Sequence, residues 1–271
     1  MAAEEIMTSL TADEVLDATK AFREHFGVEP DPREEPALFE EAIQEVDPRF
    51  KGDRKYIDVV RFQLEDDTTA FTEQDEKVIM RAAGVLDMLA PRTPLVGEFD
   101  IIAGTAAARM EPWRRLEFAA KAKQSGEATG RLVGVASTRL LNPGEVAAAA
   151  SYAPEDAQTE ADLERAAVQK IEEEYGLEVV SIIVDNPRAH NAMILDAIVQ
   201  AFPEARRIAA VTTQIYQVRT SLDFARQGAL HDVTTAVAGN PSDKTIVANR
   251  TTATYQSEVA GAQRAAAKHF L

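Results

Sequence analysis

The chain has 271 residues, no cysteine, and 45 acidic against 29 basic side chains, a formal charge of −16. A chain of this length is expected to bury about three quarters of its unfolded surface, enough for one large core or a core with a smaller appendage. The lack of cysteine excludes disulfides, thiolate metal sites and a cysteine nucleophile. The charge argues against nucleic acid and anionic membranes as partners, since both need a cationic surface. The opening MAAEEIMTSL carries acids where a signal peptide carries basic residues, and no apolar run approaches the roughly 20 residues of a membrane span. The expectation is a cytoplasmic protein with no membrane and no nucleic-acid partner.

In chain order, Thr11 is a plausible N-cap, and Val15, Leu16, Ala18, Phe22 and Phe26 form an apolar stripe at helical spacing before Gly27. A second helix is expected over Pro36 to Val46, and a third from Thr72, with Glu73 to Asp75 in its first turn, to Leu89. Asp47 to Thr69 reads as polar and irregular apart from Tyr56 to Leu64. After Pro94 the pattern changes to short β-rich runs alternating with amphipathic helices. The runs are Glu98 to Ala103, Arg131 to Ala136, Glu178 to Val184, Arg207 to Val211 and Asp232 to Ala238. The helices are Pro112 to Gln124, Glu160 to Tyr175, Arg188 to Phe202, Ile215 to Gln227 and Thr252 to Phe270. Ala147 to Ala150 reads as an alanine-rich turn into an acidic loop, the most mobile stretch expected. Continuous Val, Ile and Ala runs separated by helices mark a parallel sheet covered on both faces. The fold class expected is therefore α/β, a Rossmann-like doubly wound domain over residues 95–271, with a helical region over 1–94 acting as its lid or wall.

Ligands of open parallel sheets bind outside the carboxyl ends of the strands. Gly104, Thr105 and Arg109 follow the first run, and Ser137, Thr138 and Arg139 follow the second. Asp185, Asn186, Arg188, His190 and Asn191 follow the third, and Thr212, Thr213, Gln214, Tyr216 and Arg219 the fourth. Hydroxyls and amides there are ordinary helix caps taken singly. Four arginines are not explained by capping, and guanidinium forks with helix N-terminal N–H groups suit a phosphate or carboxylate. His190 falls in a first helical turn, where the positive pole of the helix favours a neutral ring able to act as acid or base; a histidine bonded to a loop is the competing reading. His25, His231 and His269 have no partners at metal-ligand spacing, so no metal site is expected. Glu98, Asp100 and Asp185 read as strand-end charges rather than cation ligands. P-loop, GxGxxG, GxSxG and HExxH motifs are absent, which argues against a nicotinamide oxidoreductase and leaves a Ser137, His190, Asp185 triad without its glycine elbow.

The order of these motifs resembles the bacterial YdcF, SanA and ElyC type domain. Asp100 to Gly104 with Arg109 through Arg115 matches its first strand and arginine-bearing helix; Glu164 through Gly176-Leu177 matches its glutamate-bearing helix. Val184 to Ala192 matches the asparagine-containing helix start, and Val211-Thr212-Thr213 with Tyr216 and Arg219 matches the last motif. The sequence departs from the pattern at Ala136-Ser137-Thr138-Arg139, where Ser-Gly-Gly is usual, and at Asn186, Pro187, Arg188 and His190. The resemblance covers roughly residues 98 to 230. It implies a Rossmann-like fold and a nucleotide-like or phosphate-bearing small-molecule ligand, S-adenosylmethionine among the suggestions, with Glu164 added to the ligand-binding set; it implies no particular reaction. If the chain is an enzyme, positioned arginines favour group transfer or hydrolysis on a phosphorylated or nucleotide-linked substrate. The competing expectation is a non-enzymatic regulatory protein that docks a basic partner through acidic stretches such as Asp31 to Glu35 and Glu65 to Asp67.

Overall fold

A computed structural model describes residues 10–46, 71–90, 93–105, 107, 109–241 and 252–271. The described residues fall into two compact units, one of 93–213 with 223–240, the other of 10–90 with 214–222 and 241–271. The first holds a five-stranded sheet of β1 Gly97–Thr105, β2 Ala128–Ser137, β3 Val179–Val184, β4 Arg207–Thr213 and β5 Thr234–Asn240. All pairings are parallel and the order is β3-β2-β1-β4-β5. Between the strands run α5 Glu111–Gln124, α6 Pro143–Ala149, α7 Glu160–Tyr175, α8 Asn191–Ala201 and α9 Gln217–Leu230, whose residues 217–222 belong to the other unit.

Alternation along the strands assigns the two faces. Ile102, Leu132, Ala209, Val211 and Ala238 pack with Leu116 and Ala119 of α5 and Ala167 and Ile171 of α7. Their neighbours Ile101, Ala103, Val133, Ile208, Ala210 and Val237 pack with Leu195 and Ile198 of α8 and Phe224 of α9. Every strand thus buries both sides, which is why the runs read as continuous apolar stretches. The fold is the Rossmann-like doubly wound α/β architecture that the runs imply.

The second unit packs α1 Ala12–Ala18, α2 Lys20–His25, α3 Pro36–Val46, α4 Glu73–Val85 and the C-terminal α10 Thr252–Ala267 around Val15, Leu16, Phe22, Phe39, Ile43, Ile79 and Val259. The C-terminal helix thus groups with the N-terminal helices and not with the sheet. Three local expectations change. The stripe from Val15 to Phe26 lies on two helices, because Thr19 leaves the helical region (φ −105°, ψ 13°) and its hydroxyl donates to the Val15 carbonyl at 2.6 Å. Pro143–Ala149 is a helix with a capping box between Asn142 and Glu145, not an alanine-rich turn. The helix after β3 begins at Asn191, three residues after the expected Arg188. Expectations for 47–69, including the acidic Glu65 to Asp67, lie outside the described residues. In the other acidic stretch Arg33 pairs with Asp13 at 2.6 Å and Asp17 at 2.7 Å, both in α1.

Candidate functional site

After β1 the chain winds outward through β2 to β3, then returns to lay β4 and β5 on the other side of β1. The topological switch point, where such sheets open a crevice at their carboxyl edge, therefore lies between β1 and β4. Thr105 and Thr213 end those strands, 3% and 1% exposed, and Arg115 of α5 ties them together. Its Nη1 donates to the Thr105 carbonyl at 2.5 Å and hydroxyl at 3.1 Å, and its Nη2 to Thr213 Oγ1 at 2.9 Å. Thr213 Oγ1 donates to Glu111, the first residue of α5, whose carboxylate also lies 3.7 Å from Arg115. Gly104 lets α5 approach this closely, since a Cβ there would stand 2.7 Å from Leu116 Cδ2. Arg109, in the turn before α5, is half-buried with a left-handed backbone (φ 65°), and its carbonyl accepts from the Tyr152 hydroxyl at 2.6 Å.

A second polar group lies at the end of β2. The loop after β2 bridges to the start of α7 (Leu140 with Thr159), and Glu160 N–H donates to the Arg139 carbonyl at 2.9 Å. This brings Glu160, the first residue of α7, against the strand end. Ser137 Oγ donates to Glu160 Oε2 at 2.5 Å and accepts from Arg139 N–H at 3.2 Å. The Arg139 guanidinium reaches Glu160 Oε1 at 2.9 Å and Glu145 Oε1 at 2.7 Å. Burial opposes its charge, but these two carboxylates outweigh burial and hold its pKa above the ordinary value. Arg139 is therefore spoken for by Glu145 and Glu160 and does not stand ready for an anionic ligand. Thr138 beside it is half-buried.

Glu164 lies one turn further along α7, fully buried, with neither carboxyl oxygen hydrogen-bonded among the described residues. It packs on the bare backbone of Gly134 in β2, where a Cβ would stand 1.7 Å from its Oε1. Burial pushes its pKa up to about 8, against the pull of Arg115 and with the charge of Glu160 adding to the rise. Tyr152, stacked on Trp113 at 6.3 Å between centroids, has its own hydroxyl pushed up by burial and by the charges of Glu164 and Glu111.

The remaining expected residues have other partners or surroundings. Asn186 Oδ1 accepts from Arg188 N–H at 2.8 Å, forming the turn after β3, and Arg188 is exposed. Asn191 Nδ2 donates to Asp223 Oδ2 at 2.7 Å. His190 is the exposed N-cap of α8, makes no side-chain cap, and its ring has no hydrogen-bond partner among the described residues. Ser137 bonds Glu160 instead, so the Ser137, His190, Asp185 triad is not formed. Thr212 is buried at the end of β4. Gln214, Tyr216 and Arg219 group with the helical unit. There Gln214 Nε2 donates to the Asp87 carbonyl at 3.0 Å, and Arg219 lies over Tyr216 and pairs with Glu258 at 3.3 Å. Of the four arginines, Arg139 and Arg219 are thus paired with carboxylates.

Asp100 accepts the N–H groups of Arg206 and Arg207 at 2.7 and 2.9 Å, which hold its carboxyl below the ordinary range, so it is structural. Among the described residues no cluster of metal-ligating side chains occurs, and no helix is long and apolar enough to cross a membrane. The residues that sequence reasoning missed are Glu111, Glu145 and Glu160, all in first helical turns after arginine-bearing or hydroxyl-bearing strand ends. No family model matches the chain, and no curated protein matches it significantly.

Proposed function

We propose that this chain binds a phosphorylated, nucleotide-like or otherwise anionic small molecule at the carboxyl edge of its sheet and acts on it by group transfer or hydrolysis. The observation that carries the reading is that α5 and α8 both open at strand carboxyl ends without a side-chain cap, each preceded within three residues by an arginine, Arg109 and Arg188. Uncapped first-turn N–H groups at the positive helix pole, with a guanidinium beside them, are the elements from which anion sites are built. Glu111 does not block the first of these, because its carboxylate turns inward to Thr213 and Arg115. The order of strand-end motifs, similar to that of the YdcF, SanA and ElyC type domain, supports the same reading and keeps S-adenosylmethionine and nucleotides among the candidate ligands. In the acidic stretch at 31–35, Arg33 is engaged with Asp13 and Asp17 of α1, and no observation favours the docking alternative.

The test is a thermal-shift screen against nucleotides, nucleotide sugars, S-adenosylmethionine, sugar phosphates and inorganic phosphate. A ligand at 100 times its Kd stabilises the native state by about 2.7 kcal/mol. A hit that Arg109→Ala and Arg188→Ala each weaken is expected. No shift across the panel, or a hit indifferent to both substitutions, refutes the reading.

A further inference from the structure

We propose that Ser137 is a nucleophile with Glu160 as its general base, and that the bond attacked is a carboxylic ester of the ligand bound at this sheet edge. The inference rests on the strand-edge reading above and adds the reaction to it. An activated serine needs a base within hydrogen-bond reach, and the base needs a third group to fix it. Ser137 Oγ donates to Glu160 Oε2 at 2.5 Å, Arg139 Nε holds the other Glu160 oxygen at 2.9 Å, and Glu145 holds Arg139 at 2.7 Å. The proton that Ser137 must lose is thus the one already directed at a carboxylate.

The fold repeats this trio once, as Thr213, Glu111 and Arg115. There the hydroxyl is secondary and 1% exposed, and the guanidinium, 3% exposed, is engaged with Thr105, so the trio fastens β1 to β4. Ser137 is primary and 7% exposed, and the Arg139 side chain is 29% exposed, so this trio is the less enclosed of the two. Charge selects the electrophile. One guanidinium against two carboxylates leaves the Ser137 group net negative, which repels a phosphoryl centre and tolerates a neutral ester carbonyl.

In the step, Ser137 Oγ bonds to the ester carbonyl carbon while its proton passes to Glu160. The carbon–oxygen bond to the alcohol breaks, and the departing oxygen takes that proton. Water then attacks the acyl-serine, giving its proton to Glu160, and releases the carboxylic acid with Ser137 restored by the same proton. The balance is ester plus water to acid plus alcohol, with no oxidant or reductant.

The test treats the full chain with a fluorophosphonate, which leaves fluoride and a phosphonylated serine, and maps the adduct by intact mass and peptide sequencing. A single adduct at Ser137 in the wild type is expected, absent in Ser137→Ala. Labelling of Glu160→Gln should fall by about 100-fold, and Glu160→Asp should recover part of it. Turnover of p-nitrophenyl acetate but not p-nitrophenyl phosphate is expected. No adduct at Ser137 in the folded wild type overturns the proposal, as does labelling of Glu160→Gln at the wild-type rate; turnover of the phosphate alone overturns the ester assignment. A thermal-shift hit without a Ser137 adduct sinks this inference and leaves the ligand reading intact, whereas an adduct with no hit sinks the ligand reading and the assignment of the ester to that ligand, and leaves Ser137 as a nucleophile only.

Discussion

Replacing Glu164 by glutamine keeps the shape of a fully buried side chain and removes its titration. In the wild type burial holds the carboxyl protonated up to about pH 8, whereas in the unfolded chain it ionises near its ordinary 4.5. Between those values the folded state carries a proton that the unfolded state lacks, so stability falls as pH rises. The contribution is fully present below 4.5 and is lost as pH climbs through 8. The interval corresponds to about 5 kcal/mol at 1.36 kcal/mol per pH unit. Near pH 4 the two proteins should be about equally stable, and at pH 9 Glu164→Gln should exceed the wild type by several kcal/mol, on the order of 10 °C in Tm. Urea and thermal unfolding from pH 4 to 9, followed by circular dichroism and by fluorescence of the sole tryptophan, Trp113, give both curves. Their difference isolates Glu164, because every other group titrates in both. Parallel curves would mean that Glu164 ionises like a surface carboxylate and would refute the account of its burial.

Gly134→Ala should cost about 1–3 kcal/mol by overpacking, since its Cβ would overlap the Glu164 carboxyl, and a double-mutant cycle with Glu164→Ala should recover much of that. Arg139→Ala should cost about 3–5 kcal/mol in urea unfolding by leaving Glu145 and Glu160 uncompensated, whereas Arg188→Ala on the exposed turn should stay within about 0.5 kcal/mol. In the helical unit Asp75 closes the capping box of α4 with Thr72 and bonds His25 at 2.6 Å, and its carboxyl is held down at about 2, first by His25 and then by Thr72. Its stabilisation is present above the ordinary 3.8 and is lost as pH falls through 2, so Asp75→Asn should flatten the acid limb of the unfolding curve between those values.

The sheet was legible because its strands are buried on both faces, and such strands must be written in Val, Ile and Ala. Strand order was not, since nothing in a run such as Arg207 to Val211 says that it returns beside β1. The strand-end hydroxyls and arginines were legible by position; their availability was not. Arg139 looks the same in sequence whether it faces water or two glutamates, and Glu145 and Glu160 look like ordinary first-turn acids that favour a helix N-terminus. Two signals pointed the other way. Asn142 followed by Glu145 spells a capping box, which identifies α6 inside what composition alone reads as an alanine-rich turn. Glu145, in the first helical turn after Arg139, could have been paired with that arginine before any coordinates.

Burying these charges is not explained by stability alone. A paired buried charge seldom beats an apolar substitute of equal volume, and Glu111, Glu145 and Glu160 are all at most 8% exposed beside Ala- and Leu-rich helices that could have supplied one. The Thr213 trio has a mechanical reason to exist, since one guanidinium there ties the carboxyl ends of β1 and β4, the paired strands at the switch point. The Ser137 trio likewise ties the end of β2 to the first turns of α6 and α7. Glu164 ties nothing, as its carboxyl bonds nothing among the described residues. A polar group kept at a cost where it fastens nothing is one whose presence chemistry must explain, and Glu164 is such a group, on α7 against Gly134 of β2, the strand next to the switch point.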